Sequence, residues 1–326
     1  MAVIGIINIY FSHIAQILIK PLSKAKTAFV IGIKVALLLA YATNTVNASN
    51  QTFIETPDSH LANCGTQYAQ ASLPQVTTTK PIDLYYLCFD GFAVGYSGVT
   101  RTALWSAEHL TRERIEVAST LERENQFHEE SRLPNSVKSS LADYKKVPYD
   151  RGHLAPNADM ATREQQYDSF SLANIIPQQP DNNRGIWREL ESQTRLLTMR
   201  YGEVYVVSGT AYLTQSSKSL RGRVLVPSHL YKVIYVPTLQ QAGVYFLPND
   251  DSQRVEVISL AALNKRVGIV VMPSLANNIQ AKAMALPLAG SIPSPTDKAA
   301  PKANAVEVII QLFKAFANWL MAIFTS

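Results

Sequence analysis

The stretch YDRGHLAPNADM, residues 149–160, decides how this chain is interpreted, together with DNNRGIWRELE at residues 181–191. The first stretch places His153 directly after an arginine and a glycine, and none of the other five histidines lies in such a motif. The second places Asn183 at the start of a run whose apolar residues recur at helical spacing. The two stretches therefore supply a proton acceptor, an amide oxygen, several cations and a carboxylate within about forty residues.

His153 is the predicted general base, because a neutral imidazole near pH 7 can take a proton from water. The alternative is a structural histidine, which is the commoner role of a single histidine. Arg151 is predicted to hold a phosphate group, with a solvated surface arginine as the alternative, and Asp150 is predicted to be structural. Gly152 is expected to allow either a close backbone approach or a positive φ.

Asn183 is the predicted metal ligand, through its amide oxygen, because it begins an Asn-x-Gly-x-Trp pattern that matches the family whose resemblance is described below. A single neutral ligand leaves most coordination positions to water, which suits Mg²⁺ because that ion dehydrates reluctantly. The alternative is that Asn182 or Asn183 caps the following helix. Glu191 lies eight positions further on, about 12 Å along a helix, and is predicted to accept hydrogen bonds from the water ligands of the ion. The alternatives are a solvated Glu191, or Glu189 in the same role.

At these two motifs the chain resembles the DNA/RNA non-specific endonucleases of the ββα-metal group, which include the endonuclease G type. The likeness covers roughly residues 64–275 and takes in further stretches in the order of the family. These are Leu87, Cys88 and Phe89 with Gly91, residues 100–110 (TRTALWSAEHL), residues 169–178 (SFSLANIIPQ) and residues 226–235 (VPSHLYKVIY). The departures, at Asn157 and at residues 208–210, do not involve a group that takes part in chemistry.

The resemblance implies an α+β fold of the ββα-metal type, with a central antiparallel sheet flanked by helices and the site on a hairpin followed by a helix. It implies hydrolysis of DNA and RNA with Mg²⁺, or Mn²⁺ in its place, and products with 5′-phosphate ends. Arg101 matches a position associated with stabilising transition-state charge. Asn174 matches an asparagine that orients His153 or the phosphate, with a structural turn role as the alternative. A homodimer is one expected oligomeric state.

The pattern along the chain also indicates α+β, because short runs rich in β-branched and aromatic residues are separated by hairpin-length gaps. Helices are predicted at residues 161–169 and 184–200. Strands are predicted at residues 83–89, 93–96, 103–108, 204–208, 224–236 and 244–247.

The net charge of +5 is concentrated in the first 48 residues, which hold four lysines and no acidic residue. The rest of the chain has 26 of the 30 basic residues against all 25 acidic ones. A site for a polyanion must therefore be a local patch. The candidates are Arg101, Arg151, Arg184 and Arg188.

Residues 1–48 are predicted to be a leader, with the signal peptide itself at residues 22–48. This segment has lysines, then an apolar run at residues 28–42, and then Val46, Asn47 and Ala48 as a cleavage site. The alternative is an uncleaved membrane anchor. The extra apolar residues 1–21 suggest the hypothesis that translation begins at Leu22. We expect an exported protein, periplasmic or secreted.

Cys64 and Cys88 are the only cysteines, and in an exported protein they are predicted to form a disulfide. The alternative is two buried free thiols. No Cys-x-x-Cys spacing indicates a zinc or redox site.

Residues 49–285 are the predicted nuclease domain, followed by a Pro/Ala/Ser linker at residues 286–303 and a C-terminal helix at residues 304–326. The helix begins with Asn304 and Glu307 at capping-box spacing, and its polar residues form one narrow stripe. We expect residues 304–324 to bind a membrane surface or to self-associate.

Two other functions remain open on the sequence. One is a phosphodiesterase or pyrophosphatase acting on small nucleotides, and the other is an envelope protein that binds nucleic acid on a decayed nuclease fold. The sequence does not indicate a serine hydrolase, because the run from Gly95 to Gly98 lacks the glycine that a nucleophile elbow requires at Val99.

Overall fold

The structure is a computed structural model that describes residues 55–214 and 218–288. The predicted leader, most of the predicted linker and the predicted C-terminal helix lie outside these residues. The strands are β1 (Gln75–Val76), β2 (Leu84–Cys88), β3 (Ala93–Ser97), β4 (Thr102–Thr111), β5 (Asp150–His153), β6 (Ile175–Gln178), β7 (Glu203–Ala211), β8 (Ser219–Leu220), β9 (Val224–Leu225), β10 (His229–Val236), β11 (Gln241–Pro248), β12 (Glu256–Ile258) and β13 (Ile269–Val270).

The α-helices are α1 (Pro57–Cys64), α2 (Arg112–Ala118), α3 (Arg163–Ser169), α4 (Pro180–Asn182), α5 (Arg188–Tyr201), α6 (Leu260–Val267) and α7 (Asn277–Ala281). A π-helical turn, Asn183–Trp187, joins α4 to α5. Helix α5 ends at Gly202, whose positive φ of 92° suits glycine.

Seven strands form the central sheet, in the order β12-β11-β10-β7-β4-β3-β2, and every neighbouring pair is antiparallel. The sheet is covered on both faces, so its central strands are almost wholly buried. On one face, here called the front face, Leu190 and Leu197 of α5 pack with Val206 and Ile234. The other face packs against α6 and against residues 64–69, from the last residue of α1 onward. The expected α+β class with a central antiparallel sheet is confirmed.

The hairpin of β5 and β6 lies apart from this sheet and leads into α4 and α5. Its register pairs Asp150 with Gln178 and His153 with Ile175. Gly152 is needed for close approach, because a Cβ atom there would lie 1.9 Å from Oε1 of Gln178. Gly152 does not have a positive φ, which was the other expected reason for a glycine at this position.

The disulfide is present, with the Cα atoms of Cys64 and Cys88 5.6 Å apart. It joins the end of α1 to the end of β2. The alternative of two free thiols is therefore wrong.

One predicted strand is divided in the structure, and packing extends beyond the predicted end of the domain. The strand predicted at residues 224–236 is two strands, β9 and β10, since Pro227 falls between them and cannot donate to a ladder. The domain also continues past residue 285. Leu286 is only 7% exposed, and Tyr245 donates a hydrogen bond to the carbonyl of Pro287, so the first residues assigned to the linker belong to the folded domain.

Within residues 55–214 and 218–288, no helix has the length and apolar character needed to cross a membrane.

Candidate active site

The end of the hairpin, the π-helical turn and the first turn of α5 enclose a cleft of about 220 Å³. Half of its polar lining residues are arginines. The lining residues are Arg123, Arg151, His153, Pro156, Asn157, Ala158, Asn183, Arg184, Arg188 and Glu191. The structure thus brings together four of the predicted site residues, His153, Arg151, Asn183 and Glu191.

His153 differs from the other histidines in the described part of the chain because its ring has a buried nitrogen, Nε2, without a hydrogen-bond partner. His60, His109, His128 and His229 each have a partner. The imidazole of His153 is 8% exposed and its Nε2 is buried without a partner. A buried nitrogen without a hydrogen-bond partner is unfavourable in a folded protein. Because His153 lines the cleft, its Nε2 is positioned to bond to a ligand there.

The ring of His153 is held by packing and by its backbone. It lies against the rings of Phe127 and Phe170, and its carbonyl accepts a hydrogen bond of 3.2 Å from Nε1 of Trp187. Burial, helped by the positive charges of Arg123 and Arg151, lowers its pKa to about 3. At neutral pH the imidazole is therefore uncharged and able to accept a proton.

Asn183 is oriented by Asp150. Its Nδ2 donates to Oδ2 of Asp150 at 3.0 Å. A carboxylate can only accept hydrogen bonds, so the amide group of Asn183 must face Asp150 and its Oδ1 is left for another partner. Arg184 approaches the same carboxylate through Nε and Nη2, at 2.8 and 2.7 Å. The sequence predicted a structural role for Asp150. In the structure Asp150 accepts hydrogen bonds from two residues that line the cleft, Asn183 and Arg184.

The capping alternative for these asparagines is wrong. Gln179 caps this helical segment, since its side chain accepts from the backbone N–H of Asn182 at 2.8 Å. Asn182 is buried, where it donates to the carbonyl of Pro248. Asn183 has helical backbone angles, φ −60° and ψ −46°, and its side chain is free to line the cleft.

Glu191 faces the cleft from the first turn of α5. Burial raises its pKa to about 7, against the opposing positive charges of Lys232, Arg195 and Arg123. Glu189 does not line the cleft, and its Oε1 accepts from Nε2 of Gln193 at 2.7 Å. The structure therefore favours Glu191 over Glu189.

Four arginines line the cleft. Three of them were candidates from the sequence, and the fourth, Arg123, was not. Arg151 lies over the ring of Phe127, with 4.0 Å from its Cζ to the ring centroid. Arg123, from the coil between α2 and β5, lies 5.2 Å from the ring of Phe170. No motif or periodicity surrounds Arg123 in the sequence, so only the tertiary structure reveals it.

Two predicted catalytic residues are not in the cleft. Arg101 ends the turn between β3 and β4, and its guanidinium donates to the carbonyl of Lys138. Asn174 is fully buried, and both ends of its amide are bonded. Its Oδ1 accepts from Ser106 and from the N–H of Ala155, and its Nδ2 donates to the carbonyls of Ala155 and Ser169. Asn174 therefore fixes the backbone just after His153, which is a structural role.

The donor set fits a hard divalent cation. Among the described residues no group of three or more histidine, cysteine, aspartate and glutamate side chains could hold a metal. The oriented oxygen of Asn183 and the carboxylate of Glu191 are oxygen donors of the type that Mg²⁺ accepts, with most positions left to water and phosphate.

A histidine on a β-hairpin and an asparagine at the start of the following helix, beside a central antiparallel sheet, define a nuclease of the ββα-metal type. The family model for DNA/RNA non-specific endonucleases matches residues 69–278, well over half of the chain. The chain belongs to this family and is a nuclease.

Its relatives agree with this assignment. Nuclease C1 of Cunninghamella echinulata var. echinulata is 35% identical over 175 residues, which are 49% of this chain and 69% of the relative. Human mitochondrial endonuclease G is 31% identical over 231 residues, 64% of this chain and 74% of the relative. Mitochondrial nuclease EXOG of Xenopus laevis is 33% identical over 204 residues, 56% of this chain and 57% of the relative. The match therefore spans little more than half of that protein.

A crystal structure of an EndoG/EndoGI complex shares the fold. Its TM-score is 0.54 at 23% identity, covering 61% of this chain and 89% of the other.

Proposed function

We propose that this chain is an exported, Mg²⁺-dependent endonuclease that hydrolyses DNA and RNA with little sequence preference and leaves 5′-phosphate ends. The observation that carries the proposal is the uncharged His153, without a partner, in a cleft that also presents four arginines and the oxygen of Asn183. The relatives named nuclease and endonuclease G support the same activity.

In the proposed reaction, water attacks the phosphorus atom and the bond to the 3′ oxygen breaks. His153 takes the proton of that water, because its neutral ring accepts one and none of the residues that the structure describes is bonded to its Nε2. The phosphate bound beside it adds negative charge, which raises the proton affinity of the ring above its value in the free protein. The leaving 3′ oxygen takes a proton from solvent, so the products are a 5′-phosphate and a 3′-hydroxyl.

The arginines of the cleft bind the substrate through its backbone. Arg151 and Arg188 are exposed and able to donate to phosphate oxygens, and Arg123 lies beside His153. Phosphates are common to DNA and RNA and carry no sequence information, so recognition of this kind discriminates little between bases. A divalent cation bound at Asn183, with its water ligands near Glu191, would supply the charge that stabilises the leaving oxygen and the pentacovalent phosphate.

Export is supported by the leader predicted at residues 22–48 and by the Cys64–Cys88 disulfide, since disulfides persist mainly in oxidising compartments. Cell fractionation tests this. Recovery of the mature chain from the cytoplasm, with both thiols open to alkylation, would contradict it.

His153→Ala tests the mechanism. Loss of a general base lowers turnover by about 10² to 10⁴-fold, so supercoiled DNA and RNA should remain uncut at concentrations where the parent protein degrades both. Each assay is run with Mg²⁺ and with a chelator. A dinucleotide substrate run in parallel distinguishes an endonuclease from an enzyme of small nucleotides.

The matched control is His109→Ala. His109 is bonded to Glu203 and stacked on Tyr205, outside the cleft, so this variant should lose some stability and keep its turnover. Near-full activity of folded His153→Ala with Mg²⁺ would contradict the mechanism.

A further inference from the structure

Lys232 is a buried cation that the proposed mechanism does not use. It lies on β10, a central strand of the sheet, and is 1% exposed. Its side chain points to the front face, the face that Leu230 and Ile234 share with α5. Its Nζ donates to Oγ of Ser208 at 2.6 Å and lies 4.7 Å from the ring centroid of Trp187.

A lysine at this position is unfavourable for folding unless its charge is used. Burial lowers its pKa, and the negative charges of Glu191, Glu108 and Asp159 oppose that shift. Glu108 is 0% exposed, and both of its carboxylate oxygens lack a hydrogen-bond partner among the described residues. Well-packed apolar residues often stabilise a protein as much as buried ion pairs do, or more. Burial and packing alone therefore do not account for a lysine here.

The contact with Trp187 connects Lys232 to the site. An ammonium group over the face of an indole is attracted by the ring, and it restricts where the ring can lie. The Nε1 of this same ring donates to the carbonyl of His153. Trp187 also ends the π-helical turn that begins at Asn183. The position of the indole therefore affects the backbone of His153, and the same residue belongs to the turn that carries Asn183.

We propose that Lys232 is a positioning residue of the nuclease site, whose buried ammonium group holds the Trp187 indole so that the indole N–H fixes the backbone of His153. This rests on the proposed function, because it assigns His153 to the chemical step. Lys232 does not line the cleft, so it acts without touching the substrate. Its loss should slow the chemical step and change substrate binding little.

The experiment is a double-mutant cycle in the full chain. Lys232→Met removes the charge and keeps the apolar stem, and Trp187→Phe keeps an aromatic face and removes the N–H group. Each variant and the double variant are assayed for kcat and KM on the same DNA, and for melting temperature. We expect each single variant to lose about tenfold in kcat with KM within about twofold, and the double variant to lose no more than the worse single variant, since one chain of contacts is broken in each case.

The matched control is Tyr231→Phe. Tyr231 is the neighbouring residue on β10, packs on the opposite face of the sheet and donates to the carbonyl of Leu104. It should lower the melting temperature and leave kcat unchanged. Lys232→Arg, which keeps the cation, should retain more kcat than Lys232→Met. If Lys232→Met does not fold, Lys232→Gln replaces it in the cycle, because Gln loses the charge but keeps a donor for Ser208.

Two results would overturn the inference. One is a folded Lys232→Met protein with the kcat of the parent, which would mean that the lysine is only structural. The other is losses that multiply in the double variant, which would mean that Lys232 and Trp187 act independently. His153→Ala in the same assay separates the two proposals. An active His153→Ala removes the role proposed for His153 in the reaction, whereas an inactive His153→Ala beside a fully active Lys232→Met removes only the role of Lys232.

Discussion

At the scale of the residue, one carboxylate controls two groups of the site. Asp150 accepts from Asn183 and from Arg184. Burial alone would raise its pKa, but the hydrogen bonds from Arg184 and Asn183 lower it overall. The carboxyl is therefore ionised at neutral pH, and an ionised carboxylate fixes the direction of the Asn183 amide. A neutral side chain that could donate as well as accept would leave that direction open.

Asp150→Asn should therefore weaken metal binding more than it disturbs the fold. The new amide can face Asn183 in either orientation, so the Oδ1 of Asn183 is no longer held for the ion. Loss of a group that orients a metal ligand costs about 10 to 100-fold in affinity or activity. We expect the Mg²⁺ concentration for half-maximal rate to rise by at least about tenfold.

The control for Asp150→Asn is Asp181→Asn. Asp181 is an exposed carboxylate on α4 that accepts from Gln179, so its replacement removes the same charge near the site without touching Asn183. Equal Mg²⁺ titrations for the parent and Asp150→Asn would mean that the ion is held elsewhere.

The sequence predicts well those site residues that lie within its two motifs. His153, Arg151, Asn183 and Glu191 meet in the cleft because a short hairpin and one helix carry all of them. Arg101 does not line the cleft, and a match in a short stretch does not reveal where a turn points. Arg123 was missed for the opposite reason, because it reaches the cleft from irregular coil that has no pattern.

At the scale of the element, the site depends on how closely the two strands of the hairpin approach. Gln178 crosses over Gly152, and its Nε2 donates to Oδ1 of Asn182 at 2.7 Å. The chain then passes through α4 into the π-helical turn. Turns of this kind are often found at functional sites, and here the turn begins at Asn183.

Gly152→Ala should damage both stability and turnover. The added methyl group would meet the Cβ of Gln178 at 2.7 Å as well as its Oε1, and a Cβ atom cannot swing away as a side-chain end can. Overpacking of this kind costs about 1–3 kcal/mol. Denaturant unfolding measures the loss, and the nuclease assay measures the displacement of His153.

The control for Gly152→Ala is Gly65→Ala. A methyl group at Gly65 would meet only the Cβ of Ala71, at an ordinary 3.6 Å, so its unfolding free energy should stay close to that of the parent. A Gly152→Ala protein as stable and as active as the parent would show that β5 and β6 can move apart without harm to the site.

Among the elements, those with a strong pattern were predicted and the short ones were not. The apolar residues of α5 recur at helical spacing, and the predicted helix at residues 184–200 overlaps the π-helical turn and α5. Strands β5 and β6 have four residues each, too few to display an alternation. They were expected only from the family resemblance. Helices α1, α2, α4, α6 and α7 were not predicted.

At the scale of the whole molecule, charge is arranged by position. The net charge of +5 comes mostly from the first 48 residues, and the remainder is nearly neutral. Four arginines nevertheless meet at one cleft. A local patch of this kind attracts a polyanion through a few phosphates, so binding should weaken with salt in proportion to that small number of contacts.

The end of the folded domain is set by the last residues that pack on the sheet. The backbone N–H of Met284 donates to the carbonyl of Ala242, and both Met284 and Leu286 are buried on the front face. Two truncations of the chain separate this packing from the remainder. Deleting residues 289–326 leaves every one of these contacts, whereas deleting residues 284–326 removes them.

We therefore expect the protein lacking residues 289–326 to keep the melting temperature and specific activity of the full chain. It should also lose membrane association or self-association, because the apolar helix predicted at residues 304–324 is gone. The protein lacking residues 284–326 should lose roughly 3 to 5 kcal/mol of unfolding free energy as an upper estimate from two buried apolar side chains. Sedimentation, fractionation with vesicles and denaturant unfolding measure these three properties. If the shorter deletion already lowers stability or activity, the C-terminal segment packs on the nuclease domain. If it fractionates and sediments as the full chain does, that segment neither binds membranes nor self-associates.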